Sequence, residues 1–360
     1  MSNQHDDSLI IRAWHEIATD ALRARASDIH IEAGAQETII RIRVDGWLQV
    51  LSKISIELHE RLITRIKVLA RLDIAEKRIP QDGRLCIGHN FSNPNIDCRV
   101  SILPTLHGEK AVIRILQSQI KELALDQTGL LPEQLAIFQN AIAQTNGLIL
   151  VTGPTGSGKT RTLYSCLNAL NQSHRNLCSI EDPIEIRLPG VNQVAYHPRA
   201  GLDFPVIIRA LLRQDPDVIM IGEIRDSQTA KIAIQAAQTG HLVLSTLHTR
   251  NARAATFRMQ SLGIDQDTLL SCMRCVSSQR LIRKICPSCQ NPFNREPSKT
   301  CIKCSGSGFF GRIGVHEVLS TAHLINPTFP SLDLYEAGLQ HVQKGLIDQS
   351  SLDDEVGTWH

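Results

Sequence analysis

Apolar positions change period several times along the first third of the chain. Between residues 9 and 22, Ile10, Ala13, Trp14, Ile17, Ala18 and Ala21 fall three or four apart, which predicts an amphipathic helix. Ile40, Ile42 and Val44 then alternate with Arg41 and Arg43, the two-residue period of a strand. Asp45-Gly46 is a tight-turn signal, and residues 47–51 predict the returning strand. A helix is expected over 58–72. Asp82-Gly83 reads as a second turn leading into a strand over 84–87. Ile96, Cys98, Val100 and Ile102 alternate again, and 111–116 is a further apolar run. This first block is α+β and is expected to end near Leu116.

Residues 117–133 are polar, hold Gly129 and Pro132, and read as a linker. Beyond them the pattern becomes strand–helix alternation, with strands near 148–152, 177–181, 218–222 and 242–246. That predicts a mostly parallel sheet with covering helices. After Ile325 the patterning is weak. The expected organisation is therefore an α+β domain over 1–118, a linker over 119–133 and an α/β domain over 134–360.

A chain of 360 residues can hold two cores, and 42% hydrophobic with 21% charged residues is ordinary for a globular protein. The net charge of +2 gives no electrostatic case for nucleic acid. The longest apolar runs are strand-sized, so no transmembrane helix is expected. The polar, acidic start is wrong for a signal peptide, and a cytoplasmic protein is expected. Ten cysteines in that setting argue for metal binding or buried thiols over disulfides.

Gly153, Pro154, Thr155, Gly156, Ser157, Gly158, Lys159 and Thr160 form a complete G-x-x-x-x-G-K-[ST] loop. An apolar strand precedes it and a helical pattern from Arg161 follows, the context a phosphate loop needs. Its backbone N–H groups and the helix dipole suit phosphate, Lys159 would reach the β- and γ-phosphates, and Thr160 would ligate Mg²⁺. The strand over 217–223 ends in Glu223, placed to orient or deprotonate the attacking water beside that loop. Glu181, Asp182 and Glu185 crowd one strand end, as Mg²⁺ and water positioners or as a solvated turn. His241 and His248 bracket one strand, so both are expected near the γ-phosphate edge of the sheet. Arg209 and Arg213 lie four apart on one predicted helix face. Arg99 and Arg114 sit in apolar strands, where an arginine pairs with a carboxylate or reaches a ligand.

Cys286-Pro-Ser-Cys289 and Cys301-Ile-Lys-Cys304 are two C-x-x-C knuckles eleven residues apart. Four thiolates at this spacing complete a tetrahedral, structural zinc site within a loop over 284–306. Cys272 and Cys275 lie three apart in an expected helix and read as core, as do Cys86 and Cys98 in strands. Asp28, His30 and Glu32 share a strand face, a polar face or in principle a metal site.

Taken in order, Ser27-Asp-Ile-His-Ile-Glu32, Pro80-Gln-Asp-Gly-Arg84, the phosphate loop, Glu181-Asp-Pro-Ile-Glu185, Leu212-Arg-Gln-Asp-Pro-Asp217, Gly222-Glu-Ile-Arg-Asp226, the stretch from Thr239 to His248 and the four cysteines resemble the secretion ATPases of type II secretion and type IV pilus assembly, over residues 20–320. The resemblance implies a homohexamer with an N-terminal PAS-like domain and a RecA-like motor that hydrolyses ATP with Mg²⁺. It also implies docking on an inner-membrane platform protein, with peripheral attachment to the cytoplasmic face. The counterparts of Glu181, Glu223, His241 and His248 belong to the acidic, Walker B and histidine boxes, and those of Arg99, Arg114, Arg209 and Arg213 face nucleotide. The cysteines are similar to those of the assembly or export branch, and the short form resembles competence pseudopilus ATPases. Arg161 replaces a small residue common in the family and is expected to tune helix packing or subunit contact. A nucleic-acid translocase on the same core is disfavoured by the near-neutral charge and the lack of aromatic-basic clusters. A nucleotide-gated scaffold would need a broken motif, and Lys159, Thr160 and Glu223 are all present.

Overall fold

The computed structural model describes residues 2–88, 96–116, 123–288 and 301–357, with side chains from residue 9 onward. Backbone contacts divide the chain into two units, Met1–Ile120 and Lys121–His360.

In the first unit, helix α1 (Ser2–Arg23) is followed by strands β1 (Asp28–Ala33), β2 (Glu37–Val44) and β3 (Trp47–Ser55), helix α2 (His59–Ala70), and strands β4 (Gln81–Ile87), β5 (Ile96–Thr105) and β6 (Gly108–Ile115). The strands form one antiparallel sheet in the order β3-β2-β1-β6-β5-β4. Alternation sorts its two faces. Ile29, Ile31, Ile40, Ile42, Val100, Ile102 and Ile113 are buried against Trp14, Ile17 and Ala21 of α1 and Leu62, Ile63 and Ile66 of α2. Asp45 and Gly46 take positive φ of 49° and 91° and turn the β2–β3 hairpin as expected. Asp82-Gly83 is not a turn: both residues lie inside β4, with Gly83 opposite Val100. A Cβ on Gly83 would sit 2.9 Å from the Ala70 carbonyl oxygen and 2.9 Å from the Leu72 side chain. The glycine is there because β4 passes against the end of α2.

The second unit comprises α3 (Pro132–Ile142), β7 (Gly147–Thr152), α4 (Lys159–Leu170), β8 (Leu177–Glu181), β9 (Val191–Ala195), α5 (Phe204–Leu211), β10 (Val218–Ile221), α6 (Ser227–Gln238), β11 (Leu242–Leu247), α7 (Ala252–Ser261), α8 (Gln266–Cys272), β12 (Met273–Ile285), β13 (Phe309–Ser320), α9 (Thr321–Ile325), α10 (Leu334–Gln343) and α11 (Gln349–Val356). Its sheet runs β13-β12-β7-β11-β10-β8-β9, parallel except for the β12–β13 ladder. Every residue of β7, β8, β10 and β11 is buried, as a sheet covered on both faces requires. Leu148 and Leu150 of β7 face one core, with Ile207 and Ile208 of α5; Ile149 and Val151 face the other, with Phe138 of α3 and Leu163 of α4.

Three expectations need correcting here. The described part of the expected linker, 123–133, is packed into the second unit: Leu125, Leu130 and Leu131 are buried. Buried His316 meets the Thr128 carbonyl through Nε2 at 3.1 Å, and buried His341 meets that of Gly129 at 3.0 Å. Burial pushes His316 down to about 4, so the neutral ring donates. Cys272 ends α8 and Cys275 lies in β12, so the expected continuous helix is absent, although both thiols are core. The weakly patterned tail after Ile325 holds two helices, N-capped by Asp333 and Asp348, and Leu334, Ala337 and Leu352 build a core with Ile282 and Val315.

Candidate functional site

The phosphate loop joins the buried end of β7 to α4. That helix starts at Lys159, two residues before its predicted start, so Lys159 and Thr160 occupy its first turn. Gly153 has φ +142°, and a Cβ there would meet the Gln279 carbonyl oxygen and the Ser157 hydroxyl at 2.6 Å each. Lys159 Nζ donates to the Gly153 and Pro154 carbonyls, each at 2.9 Å. Burial, aided by nearby Arg280, lowers this ammonium to about 8.

Parallel pairing puts the ends of β7, β11 and β10 on one sheet edge: Thr152 is opposite Leu247, and Ile221 is opposite Ser245. The Glu223 strand is therefore not next to the loop strand; β11 separates them and delivers His248 between. His248 Nε2 lies 3.6 Å from Glu223 Oε2. Burial and then Lys159 lower the His248 imidazole, against the pull of Glu223. Arg225 donates to Glu223 Oε1 and lies 3.9 Å from Asp182. Lys159, Glu223, Arg225 and His248 thus converge on the carboxyl edge of the sheet, where open α/β sheets bind ligands.

Glu181 does not join them as a free carboxylate. It is 3% exposed and accepts from Tyr164 on one oxygen, and from Ser179 at 2.6 Å and Gln193 at 2.9 Å on the other. Its local role is to tie α4, β8 and β9 together. Burial, then Glu181 itself, pushes the Tyr164 hydroxyl up, so the phenol stays a donor.

His241 precedes β11 and lies at the opposite edge of the sheet from His248. A six-residue strand separates them, about 20 Å of backbone. The His241 ring contacts the Ala236 carbonyl at 3.1 Å. The expectation that both histidines share the γ-phosphate edge fails within one subunit. Arg209 is exposed in the last turn of α5. Arg213 is past the helix end, so the two do not share a helix face, and its Nη1 donates to the Arg209 carbonyl at 2.9 Å. Next to Arg213, the Gln214 and Asp215 carbonyls accept from Asn176 at the start of β8. Both arginines therefore lie toward the His241 edge. Arg161 is exposed on α4.

On the outer face of the first unit's sheet, Arg84, Arg99, Arg114 and Asp28 are successive cross-strand partners. Arg114 Nε donates to Asp28 at 2.9 Å. Arg99 Nε is buried with no hydrogen-bond partner among the described residues. Like charges directly opposite one another are unfavourable, so three guanidinium groups in a row beside two carboxylates, Asp28 and Asp82, leave a surplus of positive charge that favours an anion. The three arginines line a groove of about 510 Å³ with Asp82 and Ser101. Farther along β1, Glu32 pairs with Arg41 and Lys110, each at 2.6 Å, which makes the Asp28–His30–Glu32 face an ion-paired one.

The sulfur atoms of Cys286, Cys301 and Cys304 all lie within 4.8 Å of one another, and those of Cys286 and Cys301 are 3.9 Å apart. A zinc tetrahedron with Zn–S of about 2.3 Å needs S···S near 3.8 Å. The three thiols fit that ion. Cys289 lies outside the described residues.

Arg84, Arg225 and Gln279 were missed from the sequence. Gly222-Glu-Ile-Arg-Asp226 offered a signal for Arg225, as an arginine two residues from a strand-end acid. Gln279 offered none.

The type II/IV secretion system protein family model matches residues 3–345. The protein transport protein HofB homolog of Escherichia coli K12 is 45% identical over 94% of this chain and 80% of its own length. Type II secretion system protein E of Dickeya dadantii is 44% identical over 87% of this chain, which spans 66% of that relative. The type IV pilus assembly ATPase PilB of Acinetobacter baylyi is 43% identical over 87% of this chain, which spans 58% of PilB. Among solved structures, the Legionella pneumophila ATPase DotB superposes with a TM-score of 0.71 at 20% identity, covering 94% of this chain and 93% of DotB, a likeness of fold. The pilus retraction motor PilT with bound ADP gives 0.64 at 26% identity, covering 94% of this chain and 96% of PilT. A phosphate loop on the carboxyl edge of a parallel sheet, a facing carboxylate and these relatives agree: the chain belongs to the type II/IV secretion system protein family.

Proposed function

We propose that this chain is an ATP-hydrolysing motor that powers assembly of a type IV pilus, a pseudopilus or type II secretion machinery. The observation that carries the reading is the convergence of Lys159, Glu223 and His248 on one sheet edge at the start of α4. Residues 153–160 would cradle the β- and γ-phosphates through backbone N–H groups, with Lys159 adding its charge. Thr160 would hold Mg²⁺, which when bound neutralises phosphate charge. Glu223 would orient the attacking water and take its proton, and Arg225 and His248 hold that carboxylate in place.

The wider organisation belongs to the same proposal. Arg209, Arg213 and His241 lie away from their own subunit's loop, so a nucleotide role for them requires a neighbouring copy. That supports a ring, and we take it to be a homohexamer. Arg99 and Arg114 would stabilise charge on the transferring phosphate. Zinc would be held by Cys286, Cys289, Cys301 and Cys304. No helix among the described residues is long and apolar enough to cross a membrane. A motor of this kind would act at the inner face of the membrane through a platform protein.

The experiment is Glu223→Gln. It removes the base and leaves the Lys159 cradle, so ATP binding should persist while turnover falls to background. Wild-type turnover in purified Glu223→Gln would end the assignment.

A further inference from the structure

Gln279 is 1% exposed and lies on β12 one residue beyond Ser278, the cross-strand partner of Thr152. Its Nε2 donates to the Ser157 carbonyl at 2.6 Å, and its Oε1 accepts from Thr162 Oγ1 at 2.8 Å. Thr162 is 1% exposed in the first turns of α4. One buried amide thus bridges the phosphate loop and the helix it feeds. The backbone of Gln279 also abuts the loop at Gly153, and its amide would crowd any Cβ placed on Gly158, at 3.1 Å. Arg280 braces this point of β12, donating to the Gln279 carbonyl at 3.0 Å and the Arg250 carbonyl at 2.9 Å.

The consequence follows from peptide geometry. The Ser157 carbonyl and the Gly158 N–H belong to one trans peptide unit and point in opposite directions. Drawing that carbonyl toward β12 turns the Gly158 N–H to the outer side of the loop, where a phosphate oxygen would sit. Fixing Thr162 with the same amide holds the first turn of α4 in register with that N–H.

We propose that Gln279 is a positioning residue for the nucleotide phosphates, one that aims the Gly158 N–H by hydrogen-bonding the loop from behind. The proposal rests on the ATP-binding reading above. It gives β12 a function beyond framing the sheet, because this strand leads directly to Cys286 and the cysteine loop.

The test measures ATP and ADP affinity with a fluorescent analogue, turnover at saturating ATP, the ³¹P resonance of bound ADP, and thermal unfolding without nucleotide. Gln279→Leu keeps the volume and removes both bonds. Gln279→Glu keeps the contact with Thr162 and loses the donor to Ser157. Both should raise Kd for ATP and ADP by about tenfold or more, the scale of one or two lost buried hydrogen bonds. KM should rise by more than kcat falls, and the bound β-phosphate signal should move toward that of free ADP. Thr162→Val loses only the helix contact and should raise Kd by about threefold. Combined with Gln279→Leu it should add nothing further, since the shared amide is already gone. A folded Gln279→Leu or Gln279→Glu protein that binds ADP within twofold of wild type overturns the proposal. Should neither fold, Thr162→Val with unchanged Kd overturns it equally. If the wild-type chain binds no nucleotide, the ATP-binding reading itself falls, an outcome distinct from loss of the Gln279 effect alone.

Discussion

Burial draws the Lys159 ammonium down to about 8, and a phosphate can only favour its charged form. The sign follows. Below about pH 7 the group is charged with or without nucleotide, so affinity should be flat. Above about 8 the nucleotide-free chain loses the proton that the bound chain keeps. Affinity should then fall by up to tenfold per pH unit. Titration of nucleotide binding between pH 7 and 9.5 reads this directly, and a flat profile would remove Lys159 from the phosphates. The phosphate loop was legible because eight consecutive residues carry it, and each has a local geometric reason. Glu223 was legible as a carboxylate ending an apolar strand. Gln279 was not, because its partner Ser157 is 122 residues away and only the pairing of β12 with β7 brings them together. The buried setting of Glu181 was hidden for the same reason: its partners Tyr164 and Gln193 come from other elements.

Strand order is the element-scale fact that the residues do not announce. Hydrophobic runs located β7, β8, β10 and β11, since buried parallel strands are continuously apolar. They carried no sign that β11 lies between β7 and β10, which brings His248, at the carboxyl end of β11, between the phosphate loop and Glu223. The Asp82-Gly83 misreading has a similar root: a glycine needed for close packing and a glycine needed for a turn look alike in one dimension. The cysteine loop was read from spacing alone, between what prove to be β12 and β13. Cys286 is anchored there by its amide on the Gly308 carbonyl at 2.8 Å. Metal analysis should find about one zinc per chain. Cys301→Ser should lose the ion and lower the unfolding temperature, because metal binding and local folding are coupled. Full zinc retention in that variant would reject the ligand set.

For the whole molecule, the proposed ring makes activity depend on assembly. Arg99→Ala should cut single-turnover hydrolysis by an order of magnitude or more, judged against the ~10³–10⁵ of an arginine acting across an interface. Nucleotide affinity should survive, and light scattering should still report a hexamer. A fully active monomer would leave an ATPase that needs no ring, and normal turnover in Arg99→Ala would remove that arginine from the reaction. The grip of His316 and His341 on the carbonyls of Thr128 and Gly129 has a consequence in time as well as in space. A ribosome delivers the first unit by about residue 116, while the stretch that enters the second meets its partners in stages: α4 early, through Asn168 on the Leu123 carbonyl and the packing of Leu125 and Leu130, then β13 and α10, among the last elements to emerge. During synthesis the carbonyls of Thr128 and Gly129 therefore wait for their histidines until nearly the whole motor exists. A chain stalled before His341 would hold that junction by its α4 contacts alone, half secured.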